Sequence, residues 1–213
     1  MEFISDELDR YVCNHSENEP DYLQELNRKT HLEVLQPRML SGHFQGRVLS
    51  MFSHMIRPKR ILEIGTYTGY SALCLAEGLT EDGLLITIDV NEELEEMVSS
   101  FIEKSGVAGK IKNIIGDAME IIPTLNEEFD IVFIDADKKN YINYYNLVFD
   151  KVKKGGYIIA DNVLWSGKVL EQYEKLDKST QIIMDYNKQI HDDERVQEVL
   201  LPIRDGLMIA RKK

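Results

Sequence analysis

The chain has 213 residues, 43% of them hydrophobic, enough to bury a full core in one domain. Lys and Arg total 25 against 37 Asp and Glu, a net charge of −12 that repels phosphate backbones and anionic membrane surfaces and argues against nucleic acid partners. Cys13 and Cys74 lie far apart without CxxC spacing and no histidines form an HExxH pair, which argues against a disulfide framework and against a thiolate or histidine-rich metal site.

The first stretch, MEFISDELDRY, carries acids where a secretory leader would be basic, and no apolar run is long enough for a bilayer. A soluble, cytoplasmic protein is expected. Residues 1–57 read as an N-terminal helical segment, because DYLQELNRKTHLEVL and GHFQGRVLSMFSHMI place apolar residues at three- and four-residue intervals. From Arg60 short apolar runs alternate with helical segments: RILEIG, then 69–80; LLITID, then 92–104; IKNIIG, then 118–124; FDIVFID, then 140–151; GGYIIAD, then a long segment to about 192. This alternation predicts an α/β core over 58–213, a doubly wound, Rossmann-like parallel sheet, in a single domain spanning 1–213. The tail VQEVLLPIRDGLMIARKK offers two strands around RDG, an antiparallel end to the sheet.

Ligands of open parallel sheets bind outside the carboxyl ends of the strands. Those ends carry Glu63 and Gly65, then Asp89, then Gly116 and Asp117, then Asp135 and Asp137, then Asp161 and Asn162. In LEIGTYTGYS, Gly65 lets the chain turn toward a ligand and Gly69 permits close helix packing. Tyr67 fills the middle glycine position of a dinucleotide fingerprint and Glu63 would repel a pyrophosphate, so a nicotinamide-dependent oxidoreductase is disfavoured. Asp89 stands where an acid commonly accepts hydrogen bonds from a ribose diol, or else starts a loop or caps the helix that DVNEEL suggests. The pair implies a nucleoside without a diphosphate, which S-adenosylmethionine satisfies: its sulfonium suits an acidic cleft and its ammonium could meet Glu63.

Asp135, Asp161 and Asn162 offer two carboxylates and an amide carbonyl from strand ends, hard oxygen donors that suit Mg²⁺, Ca²⁺ or Mn²⁺. Lys138, three residues past Asp135, could act as a general base, or be a surface lysine of the DKKNY loop. Asp137 could solvate that loop or cap the helix expected near Asn140. Cys74, among Ala72, Leu73 and Leu75, reads as a buried thiol.

The segments EIGTYTGYSAL, IDADKKNY, GGYIIADNVLWSGKV and LPIRDGLMIARK resemble the cation-dependent O-methyltransferases of the caffeoyl-coenzyme A and catechol type, over about 38–212. The resemblance implies a seven-stranded sheet of the class I S-adenosylmethionine-dependent methyltransferase fold with its last strand reversed, commonly as a homodimer. It implies metal ligands at Asp135, Asp161 and Asn162, with Mg²⁺ as the foremost cation and Ca²⁺ or Mn²⁺ as alternatives. Lys138 would be the catalytic lysine, acting with Asp135. Cofactor contacts would fall at Met39, Ser41, Glu63, Gly65, Thr66, Tyr67 and Ser71. Asp89 would hold the ribose, Asp117 and Ala118 would border the adenine, and Asp135 would lie near the methionine moiety. Two departures stand out: Gln45 where relatives often have Glu, and Arg204 where many have Gly.

The function these readings imply is methyl transfer from S-adenosylmethionine to a hydroxyl of a catechol-type small molecule. The cation would bind both adjacent hydroxyls, Lys138 would take the proton, and Trp165 would offer an aromatic wall to the acceptor ring, or else be a buried structural residue. A tRNA hydroxyuridine O-methyltransferase is the alternative within methyl transfer, set back by the net charge. A non-catalytic cation or small-molecule binder is a further alternative, set back by the presence of Lys138 beside all three oxygen donors.

Overall fold

The apolar runs of the core form buried strands in the computed structural model, which describes residues 5–213. The first four residues of the acidic N-terminal stretch lie outside the described residues. The strands are β1 Arg60–Ile64, β2 Leu84–Asp89, β3 Ile111–Ile115, β4 Phe129–Ile134, β5 Val152–Asp161, β6 Val196–Leu201 and β7 Leu207–Lys212. They form a seven-stranded sheet in the order β3-β2-β1-β4-β5-β7-β6. The expected Rossmann-like α/β fold is therefore present, and the RDG tail closes it: β7 runs antiparallel to both β5 and β6.

The described residues fall into two compact units, 5–117 and 118–213. In the first, β1, β2 and β3 are parallel neighbours, with Ile64 level with Ile88 and Asp89 level with Ile115. Gly65 and Asp89 therefore emerge at adjoining strand ends, and Gly65 N–H donates to the Ile88 carbonyl at 2.9 Å. Ile61, Leu62, Ile64, Leu85, Ile86 and Ile88 are all buried, as strands covered on both faces require. Helices α1 Asp6–Asn14, α2 Asp21–Glu33, α3 Gly42–Ile56, α4 Tyr70–Ala76 and α5 Glu95–Lys104 complete this unit. The first is capped by the Ser5 side chain, and Asp6, Glu7 and Asp9 complement its positive end.

In the second unit β4 pairs with β5 through a register shift: Phe129 is level with Val152, but Ile131 is level with Tyr157. The extra length of β5 contains Gly155, whose φ of 83° few other residues adopt readily. The shift decides the site. Beyond it Ile134 pairs with Ala160, so Asp135 follows on level with Asp161; in the original register Asp135 would face Ile158. Helices α6 Ala118–Ile121, α7 Tyr141–Phe149 and α8 Lys178–Asp192 belong to this unit.

Several elements are shorter than the periodicity predicts. The helix expected over 69–80 is confined to α4, and the one over 118–124 gives way to a tight 3₁₀ turn at Ile122–Thr124, where Pro123 lacks the amide a continuing helix needs. The long segment toward 192 is helical only in α8; before it come 3₁₀ turns at Trp165–Leu170 and Tyr173–Lys175. Among the described residues no helix is long and apolar enough to cross a membrane.

Candidate active site

The turn after β1 is built on left-handed backbone. Gly65 has φ 101°, Tyr67 φ 50° and Gly69 φ 86°, and Gly69 N–H closes the turn on the Thr66 carbonyl at 2.8 Å. Tyr67 thus takes a conformation that costs a side-chain-bearing residue something, and three bonds oppose that cost. Its amide donates to Asp89 Oδ2 at 2.7 Å, its hydroxyl donates to the Gln36 carbonyl at 2.9 Å, and Thr30 Oγ1 donates to neighbouring Thr68 Oγ1 at 3.3 Å. The Gln36 bond ties the 3₁₀ turn Pro37–Met39 to the glycine turn; within that segment Met39 is exposed and Ser41, just before α3, is buried.

Asp89 also accepts from the Asn91 amide, at 2.9 Å, so both carboxylate oxygens are oriented by main-chain donors. Glu63 is fully buried; Thr87 Oγ1 donates to its Oε2 at 2.5 Å, and Thr87 Oγ1 is bonded in turn to Thr66 Oγ1 at 2.5 Å. Ser71 is buried on α4. Asp117 is exposed at the end of this unit, and Ala118 is buried at the start of α6. Gln45, the first departure, is fully buried on α3.

In the second unit Asp135 and Asp161 leave adjacent strands, and Asn162 turns the chain at φ 58°, a left-handed position that asparagine tolerates better than most residues. The Asp161 side chain is buried, and its Oδ1 accepts from the Asn162 amide at 2.6 Å. Lys138 follows β4 in a short 3₁₀ turn, Lys138–Asn140. Its Nζ donates to Asn162 Oδ1 at 2.7 Å, to Asp135 Oδ1 at 3.3 Å and to the Tyr141 hydroxyl at 2.5 Å. The structure therefore joins Asp135, Lys138 and Asn162 directly, with Asp161 beside them. Among the described residues no three His, Cys, Asp or Glu side chains cluster to suit a metal, so a cation here would rest on two carboxylates and an amide.

Tyr141 was not among the residues singled out from sequence. It is fully buried at the start of α7, and its hydroxyl donates to the Asp161 carbonyl at 2.9 Å, with the Ile134 carbonyl at 3.4 Å. Burial above all, then the carboxylates of Asp135 and Asp161, pushes its phenol well above the usual value, so it stays protonated and donates. Its three-residue spacing from Lys138 was the one available signal. Asp137 is held in the loop, accepting from the Tyr144 hydroxyl at 2.6 Å and from Asn140 Nδ2 at 2.9 Å.

The loop beyond Asn162 carries Trp165, half-buried, with Lys138 Nζ 5.9 Å from the ring centroid. Trp165, Ser166 and Gly167 are all left-handed, at φ 47°, 54° and 80°. The β6–β7 hairpin supports this loop: Ser166 N–H donates to Asp205 Oδ1 at 2.5 Å, and Leu164 N–H to the Asp205 carbonyl at 2.8 Å. A Cβ on Gly206 would lie 2.5 Å from Leu164 Cγ, so the DG of RDG is what the loop packs against. Arg204, the second departure, stands in that hairpin at φ 47°, a conformation that glycine adopts at less cost.

The fold, with its glycine turn after the first strand and acids at the following strand ends, is that of the Rossmann-like methyltransferase class. Residues 13–213 match the O-methyltransferase family. The chain is 34% identical to caffeoyl-CoA O-methyltransferase 5 of Nicotiana tabacum, over 98% of this chain and 92% of that protein. Among solved structures it is similar to the SAH-bound methyltransferase PaMTH1 of Podospora anserina, with a TM-score of 0.89 at 29% identity, covering 98% of this chain and 94% of that one. It is also similar to the O-methyltransferase TomG of Streptomyces achromogenes, solved in complex with SAM, with a TM-score of 0.88 at 27% identity over 97% and 96% of the two chains. The chain belongs to the O-methyltransferase family.

Proposed function

We propose that the chain transfers the methyl group of S-adenosylmethionine to one hydroxyl of a vicinal dihydroxy phenol, with a divalent cation held by Asp135, Asp161 and Asn162. The observation that carries the reading is the convergence of Lys138 Nζ with Asp135 Oδ1 and Asn162 Oδ1, at 3.3 and 2.7 Å. These oxygens, from the ends of neighbouring strands, already receive a positive charge, and two carboxylates with an amide carbonyl make a donor set for a hard cation such as Mg²⁺. Such an ion would supply Lewis acidity, favouring loss of a proton from one acceptor hydroxyl.

Lys138 Nζ, as the neutral amine left once its own proton has gone to solvent, takes that proton. The phenolic oxygen then bonds to the donor's methyl carbon as the carbon–sulfur bond breaks, and S-adenosylhomocysteine leaves. Trp165 offers a flat apolar face to the acceptor ring. On the donor side Asp89, oriented by the Tyr67 and Asn91 amides, accepts the ribose hydroxyls. Glu63 receives the ammonium group; Gly65, Thr66, Tyr67, Ser71, Met39 and Ser41 shape the contact; and Asp117 and Ala118 border the adenine. PaMTH1 bound to SAH and TomG bound to SAM support this choice of donor.

The test is transfer to a dihydroxylated phenol with and without a chelator. Turnover is expected to vanish with the chelator and return with Mg²⁺. Asp161→Ala is expected to lose about 100-fold or more in turnover while titrating donor as the wild type does. Undiminished activity in chelator or in Asp161→Ala rejects the cation, and transfer to unmethylated tRNA in place of the phenol rejects the acceptor.

A further inference from the structure

We infer that Tyr141 is a positioning residue for the transfer: its hydroxyl holds the Lys138 amine in place and is itself held by main-chain carbonyls at two strand ends. The inference rests on the proposed role of Lys138 as proton acceptor. A lysine side chain has a long flexible stem, and a proton transfer demands one location for its nitrogen. Of the three oxygens that Nζ meets, those of Asp135 and Asn162 belong to the proposed cation set. The third, the Tyr141 hydroxyl at 2.5 Å, belongs to neither cation nor acceptor.

Tyr141 is built to stay still. Its hydroxyl accepts from Lys138 and gives its one proton to the Asp161 carbonyl at 2.9 Å, with the Ile134 carbonyl at 3.4 Å, so it spans the ends of β4 and β5. Its fully buried ring meets Tyr186 of α8 edge-on, centroids 5.4 Å apart at 77°, and Tyr186 packs on Tyr145 in the same manner. The place of Nζ is thus set by strand backbone and an aromatic cluster.

The experiment is a double-mutant cycle with Tyr141→Phe and Lys138→Met. Tyr141→Phe keeps the ring and is expected to lower kcat about 10- to 100-fold with donor affinity and acceptor KM unchanged. In the Lys138→Met background the same change is expected to do nothing further, because its effect travels through the amine. A loss of equal size in both backgrounds overturns the inference and leaves the proposed function standing. Full turnover in Lys138→Met overturns the inference together with the role of Lys138 as proton acceptor, and leaves the methyl transfer and its cation to the chelator test. A readout independent of catalysis and of any variant's folding is NMR of the wild type: a nuclear Overhauser effect is expected between the Lys138 ε-methylene and the Tyr141 ring protons. Its absence also overturns the inference.

Discussion

Asn162 and Tyr67 each sit in left-handed backbone and each turns the chain at a strand end where function is proposed. Residue identity at such places was partly readable: a carboxylate closing an apolar strand adds nothing to the burial that holds the strand, so Asp89, Asp135 and Asp161 stood out. Tyr141 and Thr87 did not, since an aromatic at a helix start and a threonine within a strand are ordinary core residues. Their hydroxyls gain meaning only from partners 20 and 24 residues away. Asp193 is similar. The bond from Arg195 above all, opposed by partial burial, and the bonds from the Arg195 amide and the Tyr145 hydroxyl hold its carboxyl down at about 2, against an ordinary 3.8. A depressed carboxylate contributes stability above its unfolded pKa and loses it as pH falls through the folded one. The urea midpoint of Asp193→Asn is therefore expected to lie below wild type at pH 7 and to converge with it between pH 3.8 and about 2. A constant gap across that window would show that Asp193 acts by some other means.

At the scale of elements, the strands were legible and the helix ends were not. Strand runs of four to six buried residues leave a local signature, whereas a bulge or a 3₁₀ ending depends on what lies alongside. The β4–β5 register shift is such a case, because nothing in KKGGY states how many residues will be looped out. The contact of α3 with the region of α4 is another. Gly46 and Gly78 permit it: a Cβ on Gly46 would lie 2.6 Å from Tyr70 Cε1, and one on Gly78 only 2.2 Å from the Ser53 carbonyl carbon and 2.3 Å from the His54 nitrogen. Around this contact Arg47 donates twice to Glu77, at 3.0 and 2.8 Å, and Ser50 Oγ donates to the same carboxylate. Since the obstruction at Gly78 is helix backbone, Gly78→Ala is expected to cost about 2 kcal/mol or more, read from denaturant unfolding. A variant as stable as wild type would mean that α3 can shift freely.

For the whole molecule, composition bears on behaviour more than on shape. A net charge of −12 at pH 7 disfavours any compact state by self-repulsion. Added salt screens that repulsion over a Debye length of about 10 Å at 0.1 M. The thermal midpoint is accordingly expected to rise when NaCl is raised from near zero to physiological strength. A fall would indicate that attractive ion pairs such as Arg47–Glu77 and Lys153–Asp130 dominate over net repulsion.

The sequence by itself determined the class of fold, the order of its parallel strands along the chain, the reversed tail and the acids at the strand ends, because hydrophobic period and turn chemistry are local properties. Only the tertiary structure decided that Asp135 and Asp161 stand level, that Lys138 turns in to meet Asn162 and the Tyr141 hydroxyl, and that Asp205 bonds the loop beyond Asn162. Those facts depend on strand register and on bonds between residues remote in the chain, which no local pattern records.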